Sequence, residues 1–407
     1  MAFVCYRQFT INLMFRRTKQ AKPLAATYIE GNEAKLIRGG REYFDLLEKM
    51  ILSAKRSIYF QVYIFEEDDT GKRIADALII ASQRGVKVYL LVDGYASKNL
   101  STNFIDNLTG AGINFRRFEP ILKSKNFYFG RRLHLKVIVT DVSNGLVGGL
   151  NISDRYNDTT EAIAWLDWAL FVRGEVADSL ARVSLRRFKA GLRVAPIAIE
   201  STPFLLTGAE HDCPVRVRIN DWVSRKREIS LSYLEMFKTA TSDIIIMSPY
   251  FLPGYEFRKR MRLASKRGVK IRVILAGISD IALSKYAERF LYRWLLRNKI
   301  EIYEYQKTVV HGKIAVCDGK WMTVGSYNMN NLSAYASIEL NLDVANEALA
   351  GDAGRRLLSM TETECQQITE EVYQHSTGWI ERVLQRSAYN LLRMILFAFT
   401  FYFRQKE

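Results

Sequence analysis

Residues 81–94 read ASQRGVKVYLLVDG and residues 264–277 read ASKRGVKIRVILAG, identical at seven of fourteen positions. Self-similarity of this kind commits a chain to repeated structural units and removes most other architectures. Each copy reads as a helix end, a glycine stop and a buried strand. The Arg before each glycine suits a helix C-terminus. An apolar stretch precedes each helix, SIYFQVYIF at 57–65 and DIIIMSPYF at 243–251. Such unbroken apolar runs predict strands of a sheet covered on both faces. The expected fold class is α/β, with two similar lobes, each a mixed β-sheet flanked by helices. The first lobe is expected over 30–195 and the second over 205–375. The stretch 191–210, low in charge and carrying Pro196 and Pro203, is the expected boundary. Segments 1–29 and 376–407 lie outside the repeat.

The repeat extends to polar residues. HLKVIVTD at 134–141 is answered by HGKIAVCD at 311–318, although the chain has only four histidines. Downstream, Gly148-Gly149-Leu150-Asn151 matches Gly325-Ser326-Tyr327-Asn328, and His to Asn is 17 residues in both copies. On a strand, residues two apart share a face, so His134 with Lys136 and His311 with Lys313 should project together. If the lobes bring both pairs to one interface, the site holds two imidazoles, two ammonium groups and two amides. The ammonium groups and Asn151 and Asn328 can hold phosphate oxygens and stabilise charge in a five-coordinate transition state. One imidazole can attack phosphorus while the other serves as acid and base. Ser326 is a further candidate for phosphate binding or a turn residue. A nucleophilic histidine needs its other nitrogen oriented by an acceptor. Asp167 is the expected partner of His134, and Glu339 of His311. Asp141 and Asp318 complete the two motifs and are counted with the catalytic set. At seven residues from the histidine, however, they should fall beyond the strand on its other face, which favours an architectural role. His211 and His375 have no comparable surroundings.

No acidic cluster with metal-ligand spacing stands beside either motif, so neither a metal nor a cofactor is expected. Cys5, Cys213, Cys317 and Cys365 have no paired spacing and read as reduced thiols. The net charge of +16 and pI near 9.6 point to polyanionic partners, either nucleic acid or an anionic membrane surface. Arg7 interrupts the first apolar run, which argues against a cleaved signal peptide. The stretch LLRMILFAFTFYF at 391–403 is apolar except for Arg393 and Thr400, with Arg382 and Arg386 before it and Arg404 and Lys406 after. As a helix it would be roughly 20 Å long, short of the ~30 Å hydrocarbon core. It reads as an interfacial or re-entrant helix. Before His134, the stretch KSKNFYFGRRLHLK mixes Lys123, Lys125, Arg131 and Arg132 with Phe127, Tyr128 and Phe129. That mixture suits a lipid interface or single-stranded nucleic acid.

The doubled HxKxxxxD pattern, each copy followed by G(G/S)xN, resembles the phospholipase D superfamily. Within it the likeness is closest to bacterial cardiolipin synthases of the shorter type, and it runs from about residue 30 to about 345. The resemblance implies a pseudo-twofold fold and metal-independent phosphatidyl transfer. His134 and His311 would divide the nucleophile and acid/base roles, the first-motif histidine being often assigned as nucleophile. The substrates implied are phospholipids, with phosphatidylglycerol as donor and acceptor. The place implied is the cytoplasmic face of the bacterial inner membrane, held peripherally or monotopically, and no nucleic-acid partner is expected. Gly149 stands where a Ser is often found, a feature the shorter synthases share. A phospholipase D-type hydrolase releasing phosphatidic acid and a nuclease on the same fold are the alternatives, with a catalytically silent membrane-binding scaffold behind them.

Overall fold

The computed structural model describes residues 27–119, 131–189, 204, 206–330 and 337–404, with side chains to residue 395. The expected boundary at 191–210 falls mostly outside the described residues, as do Cys5 and residues 123–130 of the basic and aromatic stretch.

Each lobe runs strand, helix, strand, helix, strand, then a three-strand meander. In the first lobe, strands Ser57–Val62, Lys87–Asp93 and Asn114–Phe118 pair in parallel. Val137–Thr140 joins Ser57–Val62 antiparallel, followed by Asn144–Gly148, Trp168–Arg173 and Ile29–Arg38. The second lobe repeats this order. Asp243–Met247, Lys270–Ala276 and Glu301–Tyr305 are parallel, and Ile314–Cys317, Trp321–Gly325, Ser337–Val344 and Glu210–Asp221 follow antiparallel. A last strand, Cys365–Ile368, pairs with Glu301–Tyr305. The two sheets join where Ile29–Arg38 pairs with Glu210–Asp221.

Three apolar clusters hold this together. One lies between the first sheet and its outer helices Arg41–Ser53 and Asp69–Gln83, with Phe44, Leu47, Ile74 and Leu78 fully buried. A second does the same in the other lobe, through Phe237, Met261 and Tyr292. The third contains residues of both lobes, among them Val139, Leu170, Ile245, Ile314 and Leu340, so the two sheets share one inner core. Burying each such side chain contributes about 1.5–3 kcal/mol, which makes the interface between lobes part of the folding unit.

The repeated RG pair has a local physical reason. Gly85 (φ 91°) and Gly268 (φ 94°) adopt the left-handed turn that ends each helix. The guanidinium of Arg84 donates to the Ala54 carbonyl, and that of Arg267 to the Phe237 and Ala240 carbonyls. Each arginine thus satisfies acceptors left open at the end of the preceding helix. Beside these corners sit the motif aspartates. Asp141 accepts from the amides of Lys55, Arg56 and Ser57. Asp318 accepts from those of Thr241, Ser242 and Asp243. Asp141 and Asp318 tie the loop before the first parallel strand to the far end of the motif strand. A short strand separates each from its histidine, which supports the architectural role over the catalytic one.

The C-terminal segment forms one helix, Trp379–Arg404, of 26 residues. It packs on Ala282–Phe290, and Phe290 and Tyr389 stack with centroids 4.6 Å apart. Among the described residues, no helix is long and apolar enough to cross a membrane.

Candidate active site

Both motif segments lie just ahead of their strands, which begin at Val137 and Ile314. His134 and His311 are therefore not strand residues, contrary to expectation. Each is held by the opposite lobe. The His134 amide donates to the Ile338 carbonyl at 3.1 Å, while Arg132–Leu133 pairs in parallel with Ser337–Ile338. Reciprocally, the His311 and Gly312 amides donate to the Leu166 carbonyl at 2.7 and 2.9 Å. The residue after Ile338 is Glu339 and the residue after Leu166 is Asp167. The backbone pairing that seats each histidine thus delivers the other lobe's carboxylate beside it.

The carboxylate partners are consequently crossed relative to expectation. His134 Nδ1 lies 2.9 Å from Glu339 Oε2, and His311 Nδ1 lies 2.7 Å from Asp167 Oδ2. The expected pairing joined residues within a lobe, because strand order in the chain carries no information about which face meets which across the interface. With Nδ1–H donated to a carboxylate, Nε2 of each ring is left to react. Trp168 N donates to the second oxygen of Asp167 at 2.7 Å, and the Ser326 hydroxyl donates to Glu339 at 2.5 Å. In this structure the Ser326 hydroxyl is thus engaged by the carboxylate that holds His134. At the equivalent position, a Cβ on Gly149 would stand 2.4 Å from Asp167 Oδ1, so only glycine leaves that carboxylate room.

Lys136 and Lys313 are 2 % and 0 % exposed. The Lys136 ammonium donates to the His134 carbonyl at 2.6 Å, and that of Lys313 donates to the His311 carbonyl and lies 3.0 Å from His311 Nδ1. Burial pulls Lys136 down to about 7 against the attraction of Glu339, and Lys313 down to about 8 against that of Asp167. Burial likewise lowers both histidines, and the neighbouring lysine adds to the effect in each case. Asp167 moves the other way: burial pushes it up to about 7, with the Lys313 ammonium opposing.

The two asparagines are not equivalent. Asn151 is engaged within the fold, accepting from Ile64 N at 3.1 Å and donating to the Tyr156 hydroxyl at 2.9 Å. The Tyr156 ring lies edge-on to His311 with centroids 5.0 Å apart, so Asn151 is linked to that histidine by way of Tyr156. Asn328 instead lines a cleft of about 240 Å³, and its Oδ1 has no hydrogen-bond partner among the described residues. That cleft is also lined by His134, Tyr250, Leu252, Ile281, Leu283 and Leu392. It opens on His134, whose side chain is 15 % exposed against 8 % for His311.

Sequence reasoning missed the rings around the histidines. Tyr63 lies edge-on to His134 at 4.8 Å with the Lys136 ammonium 5.1 Å from its centroid, and Trp165 lies near His311 at 6.2 Å. A signal for Tyr63 existed, since Tyr59, Gln61 and Tyr63 alternate along SIYFQVYIF onto one face. No signal marked Leu392, which comes from the C-terminal helix. Arg131 and Arg132, expected at a lipid surface, are paired internally. Arg131 bridges Glu119 and Asp221 at 3.1 and 3.0 Å, while Arg132 faces Asp93 and lies 5.3 Å from the Tyr95 ring centroid.

Comparison with known proteins adds a second line of observation. The family model described as "Cardiolipin synthase, PLD-like domain" matches residues 47–178 and 233–360, one segment in each lobe. Cardiolipin synthase B of Escherichia coli K12 is 30% identical over 359 residues, covering 88% of this chain and 87% of that one. Cardiolipin synthase 2 of Bacillus anthracis is 28% identical over 390 residues, covering 94% and 74%. Among solved structures, a phosphatidylserine synthase of Haemophilus influenzae superposes with a TM-score of 0.69 at 14% identity, covering 91% of this chain and 94% of that one. The polyphosphate kinase of Porphyromonas gingivalis does so with a TM-score of 0.57 at 16% identity, covering 87% and 53%.

Proposed function

We propose, since this chain belongs to the cardiolipin synthase family of phospholipase D-like proteins and is a phosphatidyltransferase, that it joins two phosphatidylglycerol molecules into cardiolipin through a phosphohistidine. The observation that carries the mechanism is the pair of histidines, each with Nδ1 held by a carboxylate of the opposite lobe. His134 Nε2, on the open side of the site, attacks the donor phosphorus. The bond from phosphorus to the headgroup oxygen breaks, and His311 gives a proton to the departing glycerol. His311 then takes the proton of a second lipid's hydroxyl, whose oxygen attacks phosphorus and releases His134. Lys136 and Lys313 neutralise the phosphoryl oxygens in both steps, and the Asn328 side-chain NH2 donates to them. The ammonium groups supply the positive charge on which the proposal of metal independence rests. The apolar residues Leu252, Ile281, Leu283 and Leu392 at the cleft favour a lipid alcohol over water as acceptor. The same apolar lining supports lipid over nucleic acid as substrate and a membrane surface as the working place, which we propose is the cytoplasmic one.

Incubation with labelled phosphatidylglycerol in vesicles, with and without chelator, tests this. Cardiolipin should form in both, and His134→Ala and His311→Ala should each abolish it. Phosphatidic acid as sole product would make the protein a hydrolase. Oligonucleotide cleavage without lipid turnover would make it a nuclease.

A further inference from the structure

Away from the catalytic cleft, a cavity of about 420 Å³ lies between the C-terminal helix, the helix Glu370–His375 and the end of Ala282–Phe290. Its lining includes Arg293, Arg382 and Arg386. Among the described residues, no carboxylate lies within ion-pair distance of any of the three. Glu370, which also lines the cavity, accepts from the Gln374 side chain at 3.0 Å, and one carboxylate against three guanidinium groups leaves the cavity net positive. The walls are ordered by internal contacts: Tyr373 donates to Gln385 at 3.2 Å, and Phe290 stacks on Tyr389. Guanidinium groups around a concave space match the planar, multi-donor recognition of a phosphate.

The same helix says where such a phosphate would come from. Arg382, Arg386 and Arg393, at i, i+4 and i+11, fall on one stripe. A second stripe exposes Ile380, Val383, Leu384, Leu391 and Met394, between 44 % and 65 % accessible. Gln385 and Ala388 are buried on the packed side. A helix with one face on the protein, one basic stripe and one exposed apolar stripe suits the plane of a lipid surface. The apolar surface continues onto Ile278, Ile281, Leu283 and Tyr286, all exposed, and Ile281 and Leu283 reach the lip of the catalytic cleft. Leu392, lining that cleft, is six residues from Arg386, roughly 9 Å along the helix.

The geometry points to Arg293, Arg382 and Arg386 as a second phospholipid site, which takes the phosphate of an anionic headgroup while the exposed apolar stripe enters the same leaflet. The site does no chemistry. It sets the cleft at the depth of the headgroups, beside an anionic lipid that is not being turned over. This deepens the reading of the protein as a phosphatidyltransferase and rests on it.

The test is co-sedimentation of the full chain with vesicles of phosphatidylcholine, alone or mixed with phosphatidylglycerol. The triple variant Arg293→Gln/Arg382→Gln/Arg386→Gln should bind mixed vesicles about a hundredfold more weakly, from about a fivefold effect for each of three basic residues near an anionic surface. Its binding to phosphatidylcholine alone and its melting temperature should be unchanged. A control, Lys259→Gln/Arg262→Gln/Lys266→Gln, removes the same charge from the exposed face of helix Tyr255–Lys266 and should have little effect. Equal losses in both variants, or no loss in the first, overturn the site. Saturable binding of inorganic phosphate that the first variant loses, with no change on vesicles, makes it a free-phosphate site and overturns the lipid assignment. Turnover on the same vesicles separates the two readings. Vesicle binding that depends on the three arginines, without transfer, leaves this site standing and removes phosphatidyl transfer. Transfer with unaltered vesicle binding in the triple variant removes this site alone.

Discussion

Glu339 and Asp167 differ by one methylene, and the residues beside them compensate. In the second lobe Ser326 donates to the longer carboxylate, and in the first Gly149 makes room for the shorter one. Gly149→Ala should therefore push Asp167 away from His311 and lower kcat by about a hundredfold or more, the order of loss from removing a positioned catalytic interaction. Ser326→Ala should cost no more than about tenfold, since Glu339 keeps its contact with His134. Steady-state assays of the two variants measure the difference, and similar losses would refute the asymmetry. The crossed pairing has its own readout, because four histidines give resolvable imidazole signals. Glu339→Gln should move the titration of His134 and leave that of His311 close to wild type, and Asp167→Asn should do the reverse. NMR of imidazole-labelled protein decides, and a shift at the histidine of the same lobe would sink the assignment.

At the scale of elements, each motif strand is fastened at both ends by different devices. Its near end is seated by the opposite lobe, and its far end by an aspartate that gathers three successive amides. Burial pushes the Asp318 carboxyl up, but the amides of Ser242, Thr241 and Asp243 outweigh it, and the pKa falls to about 2. A pKa depressed below the unfolded value of about 3.9 contributes stability above that value, and the contribution is lost as pH falls through about 2. Asp318→Asn keeps the shape and one acceptor oxygen but removes the charge. It should lower stability at neutral pH by about 1–2 kcal/mol, the scale of a charged hydrogen bond discounted for partial exposure. The difference from wild type should shrink toward pH 2, and kcat of the folded variant should stay within about twofold. Denaturant melts across pH and a turnover assay check both parts. Abolished turnover in a folded Asp318→Asn protein would return this residue to the chemistry.

For the whole molecule, burying two lysines and a carboxylate in one interface sets opposing pH dependences. Asp167, raised to about 7, costs stability that grows as pH rises from its unfolded value of about 3.9 and is complete above about 7. Lys136, lowered to about 7, costs stability that is complete below about 7 and disappears as pH rises toward its unfolded value of about 10.4. Asp167→Asn should therefore gain in melting temperature relative to wild type as pH rises from 5 to 8, by on the order of a few °C, while losing activity. A gain that falls over this range would refute the direction. Function faces the alkaline limit set by the lysines. As Lys136 and Lys313 lose protons near 7 and 8, phosphate binding weakens, so kcat/KM should fall on that side with apparent pKa values in this range. A profile flat to pH 10 would show that the ammonium groups are not needed.

The doubled motifs, the glycine stops and the apolar strands are local patterns, and local patterns were enough to expect two α/β lobes and to name His134, Lys136, His311 and Lys313. Helix and strand periods, turn conformations and i, i+2 facing are properties of neighbouring residues, which a sequence displays directly. The partner of each histidine is not such a property. Asp167 meets His311, and Glu339 meets His134, because parallel pairing across the interface sets Leu133 beside Ile338 and Leu166 beside Val310. The same holds for Asn151, engaged by Tyr156, and for Leu392, brought to the cleft by a helix some eighty residues downstream of the second motif. Sequence alone determined which imidazoles, ammonium groups and carboxylates the site contains. Only the packing of two sheets on one inner core decided which group touches which, since contacts between lobes depend on the register of surfaces and leave no period in the chain.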